Sequence, residues 1–170
     1  MVYQTSVTHA TASSTSIEGV AAANGAGAPR WYQLYWPSRE PDDITISLLK
    51  RAKTTGYTAL FVTLDTYVLG WRPSDLDIGY NPFIHPDHIG VEIGLTGPVF
   101  QKQFKEKHGY DISSGPSGVY QSSQGGTTGA SLGPAAREWA KLVFPGHSHS
   151  WEEVEFLKKH WDGPIVFKGM

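Results

Sequence analysis

Tyr57-Thr58-Ala59-Leu60-Phe61-Val62-Thr63-Leu64-Asp65 decides the fold. The run is almost continuously apolar, so a strand formed from it has to be covered on both faces. A doubly covered strand belongs to a parallel sheet layered with helices. Its carboxyl end carries two polar groups, Thr63 and Asp65.

Working upstream, Asp42 or Asp43 is placed to cap a helix running to about Gly56, with Ile46, Leu48, Leu49 and Ala52 as its buried stripe. Before it stands a second strand, Arg30-Trp31-Tyr32-Gln33-Leu34-Tyr35-Trp36, rich in aromatics and ended by Pro37. A first strand is predicted from Val2 to Thr8. A short helix follows it, opened by Thr15-Ser16-Ile17-Glu18 as a capping box and closed by Asn24-Gly25, with Ile17, Val20 and Ala21 on one face. Downstream, Ser150 caps and Glu153 boxes a helix with Trp151, Val154, Leu157 and Lys158 at helical spacing. The fourth strand is Pro164-Ile165-Val166-Phe167-Lys168, which leaves an open parallel edge and suggests a truncated product or fragment.

Composition sets the limits. A chain of 170 residues, 39% hydrophobic and 12% aromatic, holds one domain with a real core. With 14 basic residues against 16 acidic ones, the net charge of -2 gives no general electrostatic case for binding nucleic acid or an anionic membrane. The absence of cysteine excludes disulfides, thiolate metal sites, iron-sulfur clusters and cysteine nucleophiles. No apolar run approaches the roughly 20 residues of a membrane span, and Met1-Val2-Tyr3-Gln4-Thr5 does not begin a secretory signal. A soluble protein of the cytoplasm or another intracellular compartment is expected. Ser113 to Gly133 is dense in glycine and serine and reads as a loop or disordered segment, so residues 1–170 form a single domain with a flexible insertion at about 111–134. No glycine-rich phosphate loop follows any strand, which counts against an unrelated nucleotide-binding domain.

In parallel α/β folds, ligand groups come from the carboxyl ends of strands and the loops after them. That rule selects Gln33, Tyr35, Thr63, Asp65 and Lys168, with Arg72 in the loop beyond Asp65. Gln33 and Tyr35 are two apart, as are Thr63 and Asp65, so each pair points to one side of its strand. An amide, hydroxyls, a lysine and an arginine suit a flat heteroaromatic ring together with a carboxylate substrate, as in a flavin with a 2-hydroxy acid. Taken singly, Gln33 and Tyr35 are more often packing residues and Lys168 a solvated cation. His85-Pro86-Asp87-His88 and His147-Ser148-His149 read as loop histidines, and without a third ligand the first pair does not make a metal site.

The motifs Trp31 to Trp36, Thr63-Leu64-Asp65-Thr66, Leu69-Gly70-Trp71-Arg72-Pro73-Ser74-Asp75-Leu76-Asp77 and Pro164-Ile165-Val166-Phe167-Lys168-Gly169 occur in this order in one family. The chain resembles the FMN-dependent 2-hydroxy acid oxidases and dehydrogenases. Gly70 through Tyr80 and Trp161-Asp162-Gly163-Pro164-Ile165 look most like its lactate 2-monooxygenase branch. The resemblance implies a partial (β/α)8 barrel of about four consecutive strand-helix units, with two open sheet edges prone to aggregation or dimerisation. It implies FMN as cofactor, a small 2-hydroxy acid as substrate, and oxygen or another acceptor to reoxidise the flavin. Gln33 and Thr63 would hydrogen-bond the flavin ring, Lys168 would place positive charge at its N1 and O2 edge, and Thr11 aligns with a flavin-contacting serine. Tyr35 would meet the substrate's 2-oxygen, Arg72 would lie near its carboxylate, and Asp65 would support the polar network. The family's proton-abstracting histidine, neighbouring substrate arginine and phosphate loops would fall beyond Met170, so the expectation is an incomplete copy of the domain. The alternative is a catalytically dead half-barrel remnant that acts as a binding or interaction protein.

Overall fold

The computed structural model describes residues 7–37, 39, 42–68, 70–81, 83, 89–112, 121–123, 126–128 and 132–170. Four strands form one parallel sheet: β1 (Val7–Ala10), β2 (Arg30–Tyr35), β3 (Ala59–Thr63) and, at the far end of the chain, β6 (Ile165–Lys168), in the order β1-β2-β3-β6. Residues 2–6 of the expected first strand lie outside the described residues, and the strand runs on to Ala10 rather than stopping at Thr8.

Alternation along the strands separates two faces. Tyr32, Leu34, Leu60 and Val62 are fully buried beneath helices, because both neighbouring strands turn apolar side chains the same way at each register step. On the other face stand Trp31, Gln33, Tyr35 and Phe61, half-buried, with Val166 and Lys168 exposed. Trp31 and Phe61 stack there with ring centroids 5.5 Å apart.

Helix α1 (Ile17–Asn24) follows β1, and the cap differs from expectation by one residue. The hydroxyl of Ser16 accepts the Gly19 N–H at 3.0 Å, while Glu18, free of any box, reaches across to Arg51. Helix α2 (Asp43–Thr54) buries Ile44, Thr45, Leu48, Leu49 and Ala52, leaving Ile46 half-buried. Asp42 makes no capping bond because Arg39 Nε and Nη2 hold its carboxylate at 2.6 and 3.1 Å.

Between β3 and β6 the chain forms α3 (Pro73–Asp77), α4 (Glu92–Leu95), α5 (Pro98–His108), a hairpin of β4 (Gln121–Ser123) and β5 (Gly126–Thr128), α6 (Leu132–Val143) and α7 (Val154–His160). The sequence pattern between Asp65 and Ser150 predicts no helix, so α3 to α6 are additions to it. They extend the core through Phe100, Phe104 and Trp139. Helix α6 begins inside the stretch read as an insertion; most of that stretch lies outside the described residues. The expected box before α7 is half realised: the Glu153 carboxylate accepts the Ser150 N–H at 2.7 Å, whereas Trp151 is exposed and packs edge-on against Phe167. Among the described residues, no helix is long and apolar enough to cross a membrane.

Candidate functional site

Parallel register lines up the carboxyl ends of three strands. Tyr35 pairs with Thr63 across β2 and β3, and Thr63 pairs with Lys168 across β3 and β6. Residues paired in this way point to the same side, so the three form a row on the face away from the helices, with Gln33 two residues behind Tyr35. Gln33 Nε2 donates to Thr63 Oγ1 at 2.5 Å, bridging the two strands side chain to side chain. The bond occupies one amide hydrogen and leaves the amide oxygen and the threonine hydroxyl proton able to make further hydrogen bonds. Tyr35 rests its ring against Phe144, at the end of α6, with centroids 5.7 Å apart.

Lys168 is half exposed and its Nζ stands 3.5 Å from Asp65 Oδ1. Asp65 lies two residues beyond Thr63, where Thr66 Oγ1 donates to the same carboxylate oxygen at 3.2 Å. Desolvation works to raise the Asp65 pKa, but the Thr66 hydroxyl and the Lys168 charge together hold it below the ordinary carboxylate value.

Thr11 and Arg72 stand apart from this row. Thr11 is fully buried: its hydroxyl donates to Gln33 O at 2.9 Å, accepts the Tyr35 N–H at 3.1 Å, and lies 3.1 Å from the Tyr32 hydroxyl. Protein groups saturate that oxygen, and its work is to tie β1 to the β2 residues that carry Gln33 and Tyr35. Arg72 is exposed just before α3, with its guanidinium 3.7 Å from Asp75. His85 and His88 lie outside the described residues.

Sequence reasoning missed the wall beside Thr63. His149, read as a loop histidine, stacks on Trp36 at 4.0 Å and 11°, with Nε2 3.1 Å from Trp36 O. Burial pulls the His149 pKa below its ordinary value. Arg39 lies over the Phe156 ring at 4.3 Å. A cavity of about 140 Å³ opens between this wall and the loop after β3, lined by Trp36, Thr63, Thr66, Tyr67 and Trp151 among others. Stacked partners more than 100 residues apart leave no local pattern by which to find them.

Residues 3–170 match the model of the FMN-dependent dehydrogenase family. The chain is 56% identical over 160 residues to an FMN-dependent alpha-hydroxy acid dehydrogenase of Schizosaccharomyces pombe, covering 94% of this chain and 35% of that protein. It is 47% identical over 163 residues to another protein so named, from Penicillium citrinum, covering 96% and 35%. Among solved structures, an (S)-mandelate dehydrogenase superposes with a TM-score of 0.60 at 27% identity, covering 97% of this chain and 40% of that one. The chain thus spans about a third of the length of the curated relatives it matches.

Proposed function

The chain belongs to the FMN-dependent dehydrogenase family, and from that premise we propose that its sheet edge takes part in the oxidation of a small, lactate-like L-2-hydroxy acid. The product would be the 2-oxo acid or its oxidative decarboxylation product, with oxygen or another acceptor taking the electrons. Membership also gives the four-stranded parallel sheet its context, as part of the (β/α)8 barrel architecture.

The observation that carries the reading is the in-register row Tyr35, Thr63 and Lys168, with Gln33 hydrogen-bonded to Thr63 behind it. The donor set fits the polar edge of a flavin ring, which needs both donors and acceptors in one plane and a cation where negative charge develops. When bound, FMN supplies the two-electron acceptor. Gln33 and Thr63 orient the ring through the amide oxygen and the hydroxyl proton. Lys168 Nζ would offset negative charge on the bound ring. Tyr35 presents its hydroxyl to the substrate's 2-oxygen, and Arg72, which stands apart from the row in this structure, would reach the carboxylate by leaving a 3.7 Å surface pairing with Asp75 that contributes little. The role of Thr11 is indirect: its saturated hydroxyl holds the Gln33 and Tyr35 backbone in place.

A second reading, an interaction module, draws on the half-open apolar face of Trp31, Phe61 and Val166, the last 40% exposed. Titrating the chain with FMN and following the flavin band separates the two. The flavin reading expects saturable binding that Lys168→Ala weakens about 10- to 100-fold, the worth of a charge-assisted hydrogen bond, and that Gln33→Ala weakens about 10-fold. Substitutions within residues 113–131 should leave binding unmoved. Absence of binding, or equal losses at all three places, would overturn it, and concentration-dependent self-association without flavin binding would favour the interaction module.

A further inference from the structure

Gly169 follows the last residue of β6 with φ +92°, and its backbone passes directly beneath Asp65. A Cβ at this position would lie 2.6 Å from Asp65 Cβ and Oδ1, closer than such atoms approach one another. The contact is held on one side, since Leu64 N donates to Lys168 O at 2.9 Å and brings the residues before Asp65 and Gly169 together. In this position Asp65 Oδ1 accepts from Thr66 Oγ1 at 3.2 Å and faces Lys168 Nζ at 3.5 Å.

A lysine at a strand end has four rotatable bonds and strong hydration, so nothing in its own stem fixes where the ammonium sits. Here the Asp65 carboxylate, in the loop just after β3 and itself bonded by a threonine hydroxyl, stands 3.5 Å from the ammonium and biases where it sits. We infer that Gly169 is a positioning residue: its bare Cα leaves the space in which Asp65 folds across the end of β6 and orients the Lys168 ammonium at the mouth of the sheet. A side chain at position 169 would displace the carboxylate twice over, through the close approach and through a backbone conformation that L-residues rarely adopt. The consequence for flavin rests on the reading of Lys168 given above; the coupling of Gly169, Asp65 and Lys168 does not.

The test is a carbon-13 NMR titration of the Asp65 carboxyl and the Lys168 Cε in the wild-type chain, Gly169→Ala, Asp65→Asn and the double variant, with an FMN titration of each. In Gly169→Ala the Asp65 midpoint is expected to rise toward the ordinary aspartate value and the Lys168 Cε resonance to shift. Asp65→Asn should reproduce the lysine shift, and the double variant should add nothing further. FMN affinity should fall by a similar factor, about tenfold, in all three variants. An Asp65 midpoint unmoved by Gly169→Ala, or a Lys168 resonance unmoved by Asp65→Asn, would overturn the inference. If Gly169→Ala does not fold, Asp65→Asn alone still decides the lysine arm. Coupled NMR changes with unchanged flavin affinity would support the positioning and instead overturn the placement of Lys168 at the flavin.

Discussion

His9, the third residue of β1, is 4% exposed and lies against the rings of Tyr32 and Tyr57, with centroids 6.5 and 6.1 Å away. Its Nε2 is buried without a hydrogen-bond partner among the described residues. Burial first, and the charge of Arg51 second, lower its pKa to about 4 against the opposing pull of Glu18. In the unfolded chain the same imidazole binds its proton near 6.5, so the unfolded state gains protons first as the pH falls. Stability is therefore complete above about pH 6.5 and lost progressively down to about 4, in total on the order of 3 kcal/mol. Urea unfolding at pH 7 and pH 5 should show about 2 kcal/mol of this loss in the wild type and a much smaller one in His9→Phe; an unchanged pH slope would mean that His9 is not the group responsible. This histidine was not legible in the sequence, because Val7-Thr8-His9-Ala10 gives no sign of two tyrosines arriving from 23 and 48 residues away. The placement of Gln33, Thr63 and Lys168 on one face towards the carboxyl ends of their strands was legible, because the twofold period of a strand acts on neighbours in the chain.

At the scale of elements, β2, β3 and β6 could be read because each is a compact apolar or aromatic run bounded by polar or breaking residues, whereas β1, Val7-Thr8-His9-Ala10, is not, and the expected first strand meets it only at Val7 and Thr8. The helices between β3 and β6 could not be read so easily. Helix α5 buries Phe100 and Phe104 beneath a run of lysines and glutamines, a stripe too sparse to stand out. Helix α6 does carry a full stripe in Leu132, Ala135, Ala136, Trp139 and Val143, but the glycine-serine run ahead of it obscures its start. The short helix α4 packs against that stripe so closely that a Cβ on Gly94 would overlap the Trp139 ring at Cδ2. Gly94→Ala, which in an ordinary helix interior would stabilise by up to about 1 kcal/mol, should here destabilise by about 2 to 3 kcal/mol through overpacking. Denaturant unfolding checks the sign. A neutral or stabilising result would show that Trp139 can move aside without loss, so that α4 and α6 are not locked together by this contact.

For the molecule as a whole, the question is what joins helices that arise from three different crossovers. Arg51, on α2 and with its side chain 10% exposed, performs that task. Its Nε and Nη2 each donate at 2.8 Å to the Glu18 carboxylate of α1. Its Nη1 donates at 2.9 Å to the Ile93 carbonyl of α4, and Nη2 reaches Thr96 Oγ1 just beyond that helix at 3.1 Å. A planar fork of donors can meet a carboxylate and a helix-end carbonyl at once, and the cation also suits the negative end of the α4 dipole. The Arg51 hydrogen bonds outweigh the cost of desolvating Glu18 and keep its pKa below the ordinary glutamate value. An ammonium has no second arm at the right spacing, so Arg51→Lys should keep one contact and leave the other unmade. Arg51→Met should lower stability by about 2 to 3 kcal/mol, and Arg51→Lys should recover less than half of that. Glu18→Gln should cost less, about 1 kcal/mol, because that carboxylate is half exposed and water can replace part of what it loses. Urea midpoints of the three variants test the order. If lysine restored full stability, the bidentate geometry would be incidental, and the apolar packing of Ile17, Leu48 and Ile93 would suffice to hold the three helices together.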